Sequence, residues 1–123
     1  MGGGGFTRAI HVLLTAGAQV DQADTKGGTA LMAASHLGHV EAIRVLLAAG
    51  AKLNHVNAEG GTALMLASQV GHVQAVTALL AAGADPCLVA TNGVTALGVA
   101  QHFKHPAVVS LLQAKLAELA GSA

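Results

Sequence analysis

Aromatic side chains are nearly absent from this chain: among 123 residues there are two phenylalanines, Phe6 and Phe103, and neither tryptophan nor tyrosine. A core without rings has to be built from Ala, Leu and Val, which favours short helices packed closely together. Charge is sparse as well. Six basic and six acidic residues cancel and are scattered, so there is no basic patch to grip nucleic-acid phosphates or an anionic membrane surface. No apolar run reaches the roughly 18 residues of a membrane-spanning helix, because Gly, Gln and His interrupt each candidate. The start, MGGGGF, has no charged leader followed by an apolar run and does not read as a signal peptide. Cys87 is the single cysteine, which excludes an intrachain disulfide and points to a reducing, intracellular and most simply cytoplasmic setting.

What the chain does contain is a copy of itself. Residues 27–51, GGTALMAASHLGHVEAIRVLLAAGA, return at 60–84 as GGTALMLASQVGHVQAVTALLAAGA, offset by 33 residues with 18 of 25 positions identical. A repeat of this length is one supersecondary unit that cannot bury its own apolar face and stacks on its copies to do so. In the first full unit, 24–56, the run from Asp24 to Gly28 is turn chemistry. Thr29 suits an N-cap, Ala30 to His36 predicts a two-turn helix, and Gly38 breaks it. His39 opens a second helix with Val40, Ile43, Leu46 and Leu47 as its apolar stripe and Gly50 as its left-handed stop. Glu41 and Arg44 fall outside that stripe, close enough to pair.

The unit 57–89 repeats this grammar. Thr62 caps Ala63 to Gln69, Gly71 turns the chain, and Val73, Val76, Leu79 and Leu80 form the stripe. The unit 90–120 is eroded: Thr95 survives, Gly98 sits inside the first helix at a cost of about 1 kcal/mol relative to alanine, and Lys104 replaces the turn glycine. Pro106 begins a second helix that overruns the pattern to Ala120, with Val109, Leu112, Leu116 and Leu119 in one stripe. It reads as a terminal capping unit. Ahead of the full units, 6–23 aligns with the second half of a unit only. The expected organisation is therefore a flexible Gly-rich leader, 1–5, and one domain, 6–123, made of a half-unit 6–23, two full units and the cap.

On these motifs the chain resembles the ankyrin-repeat family from Thr7 to Ala120. The family's TPLHxAA opening appears as Thr29-Ala30-Leu31-Met32-Ala33-Ala34-Ser35, again from Thr62 to Ser68, and weakly from Thr95 to Gln101. Its glycine–histidine pair is Gly38-His39 and Gly71-His72, with His105 alone in the last unit. The resemblance implies an all-α solenoid of stacked helix-turn-helix pairs with β-turn-like tips. Two departures recur: alanine stands at the family's proline (Ala30, Ala63, Ala96), and Met32, Met65 and Gly98 stand at its histidine, which removes a Thr–His hydrogen bond. Methionine fills irregular gaps without specifying geometry. The half-unit start leaves one side of its helix uncovered, so further repeats upstream or a neighbouring chain would lie there.

Seven histidines raise the question of metal. His36 with His39, and His102 with His105, are HxxH pairs, but each straddles an interhelical turn and no carboxylate or thiol completes a zinc set. The preferred reading of His39, His72 and His105 is that they hold the helix start. Ser35, Ser68 and Ser110 lack a base at any motif spacing, and no phosphate loop is present. The expectation is a protein that is not an enzyme and needs no cofactor. Asn54 matches a position hydroxylated in some family members, although Lys52 departs from that context; the simpler reading is a turn asparagine satisfying backbone.

What remains is a surface. By resemblance, a partner protein, presented as an extended or helical segment, docks on the turn tips and on the exposed side of the first helices, which line a concave face. The tip residues are Thr25 and Lys26, Ala58 and Glu59, and Thr91 and Asn92. The helix residues are His36 and Leu37, Gln69 and Val70, and His102 and Phe103, with Leu37, Val70 and Phe103 forming an apolar row that either meets the partner or packs beneath the turns. The function read from this is a protein–protein interaction scaffold, with no role for nucleic acid or membrane. The alternative is a structural subunit or fragment of a larger ankyrin-containing assembly.

Overall fold

The structure, a computed structural model, describes residues 19–121 together with residues 8, 10 and 17. The leader 1–5 and most of the leading half-unit lie outside the described residues, although Ile10 is part of the buried core. The described helices are α1 (Ala30–Leu37), α2 (Val40–Ala48), α3 (Ala63–Val70), α4 (Val73–Ala81), α5 (Ala96–His102) and α6 (Pro106–Gly121). No strand occurs among the described residues. Helices α1, α3 and α5 pack side by side in one layer and α2, α4 and α6 in a second, and each first helix also packs on the second helix of its own unit. Thr29 and Thr62 thus start equivalent helices in adjacent units.

The threonines start these helices by the mechanism expected of them. The Thr29 hydroxyl accepts the Met32 N–H at 3.4 Å, Thr62 accepts Met65 N–H at 3.2 Å, and Thr95 accepts Gly98 N–H at 3.2 Å. Each cap satisfies one of the orphan donors of a first turn and contributes about 1 kcal/mol. Because the donor is backbone, the change from Met to Gly98 leaves the third cap intact.

Burial is concentrated where units meet. Ile43, Leu46, Val76, Leu79, Val108 and Leu112 are at most 1% exposed, all on second helices. The predicted stripes are displaced from this by a fraction of a turn. Val40 is half-buried and Val73 is 40% exposed, whereas Ala42 and Ala75, and Val108 at the same register, are fully buried. With about 100° between successive residues, a face centred near Leu46 takes in Ala42 and leaves Val40 on its edge. In α6, Leu119 shares the face of Leu112 yet is 43% exposed. The helix runs on to Gly121 past Ala114, the counterpart of Ala81 where α4 stops, so among the described residues its last turns have no neighbouring helix to cover them.

The turn tips form their own ladder. Ala58 N–H donates to the Lys26 carbonyl at 2.9 Å, and Thr91 N–H donates to the Glu59 carbonyl at 3.0 Å. Inside each tip an Asx side chain organises the loop: Asp24 Oδ1 accepts from Lys26 N–H and Gly28 N–H, and Asn57 Oδ1 from Glu59 N–H and Gly61 N–H, all at 2.8–3.0 Å. A Cβ at Gly28 would lie 3.1 Å from Asp24 Oδ2, and one at Gly61 would lie 3.3 Å from Asn57 Oδ1. The third unit has Ala90 in place of the Asx residue, and there Val94 stands in the glycine's position.

The bond from Gly28 N–H, then that from Lys26 N–H, holds the Asp24 carboxyl below its usual pKa, with the Lys26 charge adding in the same direction. A lowered folded-state value means stability that is complete above the unfolded carboxylate range and is lost as pH falls through the folded value. Asp24→Asn keeps the acceptor, as Asn57 shows. The variant is expected to melt with the wild type at neutral pH and to lack the wild type's additional loss in strong acid. Melting curves across the acid range check this; a wild-type excess loss near neutrality would refute it.

Candidate functional site

The sequence-predicted site residues lie on one layer and its tips. Thr25, Lys26, Ala58, Glu59, Thr91 and Asn92 are all exposed. Their backbones are partly committed to the ladder, and Thr91 Oγ1 also donates to the Glu59 carbonyl at 2.8 Å, so that hydroxyl is structural. At the far ends of the first helices, His36 and His102 are exposed and Gln69 is half-buried. Leu37 is 54% exposed and Phe103 46%, while Val70 between them is half-buried. Valine is the shortest of the three side chains. The His102 ring meets Phe103 edge-on, with centroids 4.9 Å apart.

A second apolar row runs beside the first. Ala33 is exposed, and Leu66 and Val99, at the same register in α3 and α5, are half-buried. Its signal was available in the 33-residue period, but the position is variable in type and carries no motif letter.

The chain is therefore a layered array of paired helices, capped by threonine, joined by hairpin-like tips and repeating every 33 residues. The family model for ankyrin repeats in three copies matches residues 3–90 of the chain. The chain belongs to the ankyrin-repeat family. A search of curated proteins returns no match. The ankyrin match ends at residue 90, and the pair α5 and α6 beyond it takes the same place in both layers. Ankyrin repeats generally serve as protein–protein interaction modules, and the family is typically non-enzymatic.

Several residues that drew chemical readings have structural work in this ankyrin array. The histidines that follow the interhelical glycines do not act as expected at the helix start: neither His39 nor His72 makes a side-chain cap bond. The rings of His72 and His105 work between units instead. His105 Nε2–H donates to the Gln69 carbonyl of the preceding unit at 2.9 Å, and its ring lies against Gly71. His72 lies against Gly38 in the same way, where a Cβ would come within 2.7 Å of Nδ1. The glycine is thus the room that the next unit's histidine needs, which is why the two residue types recur together.

Ser35 and Ser68 are fully buried, and each hydroxyl donates to the carbonyl four residues earlier, Leu31 and Leu64, at 2.7 Å. Asn54 Oδ1 accepts Asp85 N–H at 2.9 Å, and Asp21 Oδ1 accepts Lys52 N–H at 2.8 Å. His55 Nε2–H donates to the Gly27 carbonyl at 3.1 Å. Asn54 thus satisfies backbone as its turn position suggests, but in the next unit; the bonds of Asp21 and His55 have no such reading in the sequence, though an Asx residue at both 21 and 54 is a readable hint. Among the described residues no three His, Cys, Asp or Glu side chains gather as metal ligands, and no helix is long and apolar enough to cross a membrane.

Proposed function

We propose that the chain is a protein-binding scaffold whose contact surface is the outward side of α1, α3 and α5 together with the tips. The observation that carries this reading is the exposure of Leu37 and Phe103 at one register of stacked helices. Two large apolar side chains about half open to solvent lose little by folding and gain on contact with a partner. Phe103 is the natural anchor, because buried aromatic groups dominate interface energetics. The Ala33–Leu66–Val99 row widens the apolar floor beneath it. Tip residues Lys26, Glu59 and Asn92 differ from unit to unit, as specificity over a common frame requires.

The test compares Phe103→Ala and Leu37→Ala with the wild type in pull-down and in thermal melting. Neither side chain fills the core, so each variant is expected to change stability by about 1 kcal/mol or less, while captured partners fall away by tenfold or more for Phe103→Ala, equivalent to about 1.4 kcal/mol. Parallel losses of stability and capture would assign both residues to packing.

A further inference from the structure

We infer that the segment received by this face is acidic as well as apolar, and that Lys104 takes one of its carboxylates beside Phe103. The inference rests on the contact reading above and adds the partner's chemistry to it. Three observations converge. First, α1, α3 and α5, reading ALMAASHL, ALMLASQV and ALGVAQH, contain no carboxylate. The polar groups at their far ends are His36, Gln69, His102 and Lys104.

Second, the protein's own six acids are placed elsewhere. Asp21, Asp24 and Asp85 accept backbone N–H groups, Glu41 pairs with Arg44, Glu118 pairs with Lys115, and Glu59 sits at a tip. Among the described residues none of them pairs with Lys104. An acidic segment would meet no like charge along the helix ends and would find a cation at α5.

Third, Lys104 is held in a conformation that lysine disfavours. Its φ is +62°, matching Gly38 at +73° and Gly71 at +75° in the earlier units. The Cβ of an L-residue crowds its own carbonyl there, which glycine avoids. Glycine would be the more stable residue at this φ. Strain kept at an exposed site next to an exposed aromatic ring is the pattern of a binding position.

Helices in a layer pack roughly 8–10 Å apart, so the row Leu37, Val70, Phe103 steps by about that distance. Apolar anchors at every seventh residue of a helix or every third of an extended segment in the polyproline II conformation match this step. An Asp or Glu next to the anchor that reaches Phe103 would meet Lys104.

The experiment selects binders from a displayed library of random 16-residue peptides on the immobilised full chain. Synthesised winners are then titrated against wild type, Phe103→Ala, Lys104→Gly and Lys104→Glu, with melting curves for each protein. The expected winners combine Asp or Glu with Leu, Ile or Phe. Phe103→Ala abolishes their binding, Lys104→Gly weakens it about threefold to tenfold, and Lys104→Glu weakens it further. Lys104→Gly is also expected to raise the melting temperature by roughly 4 °C, so its weaker binding is not a folding defect. Neutral or basic winners that need Phe103 but bind Lys104→Gly as well as wild type would overturn the carboxylate inference and leave the contact surface standing. Winners indifferent to both residues, or none at all, would remove the surface as well. A lower melting temperature for Lys104→Gly would overturn the strain on which the inference stands.

Discussion

Replacing Leu79 with alanine is expected to destabilise the array by about 2–5 kcal/mol. Leu79 is fully buried on α4, the middle helix of its layer, which packs on both α2 and α6. Truncation there opens a cavity shared by two interfaces, and each flanking unit loses part of the cover it cannot supply alone. Since whole domains are stable by only about 5–15 kcal/mol, this one change removes a large share. Leu119→Ala supplies the contrast: at 43% exposure on the overrunning turns of α6, it is expected to cost about 1 kcal/mol or less. Urea unfolding followed by circular dichroism measures both. Similar losses for the two leucines would mean that stability does not come from contacts between units.

Gly71→Ala is expected to cost about 2–5 kcal/mol although it adds one methyl group. Two effects combine. The residue has φ +75°, where a Cβ costs about 1–2 kcal/mol in its own backbone. The new Cβ would also lie 2.5 Å from His105 Nδ1, so the ring must move and give up its 2.9 Å bond to the Gln69 carbonyl. Breaking that bond leaves a partly buried acceptor unsatisfied, at about 1–3 kcal/mol. Gly93→Ala separates the effects. Its φ is +86°, but nothing lies within 4 Å of the added Cβ, so only the backbone cost of about 1–2 kcal/mol applies. The difference between the two variants reads the strength of the histidine interlock, and equal losses would show that the ring contributes nothing.

Much of the fold was legible because it is set by local chemistry. Each threonine cap, each left-handed glycine turn and the proline start of α6 depends on residues within one turn of one another, and these appear where the sequence places them. The overrun of α6 was legible too, because no glycine stops it. The burial pattern was less so. Periodicity weighted Val40 and Val73 above Ala42 and Ala75, since it scores side-chain hydrophobicity, whereas burial depends on where the neighbouring helix lies. Small alanines are buried in this array because close approach of helices requires them.

The candidate surface divides in the same way. Its tip residues and the row Leu37, Val70 and Phe103 were named from motif alignment, and their exposure could not be inferred from residue type. The bonds from Asp21, Asn54, His55 and His105 join residues 28–36 positions apart and have no local signature. The histidine reading failed for this reason: a residue beside a helix start looks like a cap, and only the stacked neighbour shows that its ring serves the unit before it.

By itself the sequence determined the period, the helix boundaries to within a residue or two, and the all-α class, because these follow from spacing, capping and backbone conformational preference. The tertiary structure decided which apolar residues stay open to solvent, which polar side chains bridge units, and that Lys104 occupies a glycine's conformation. Those properties depend on the distance between units, which stacking sets and no single unit encodes.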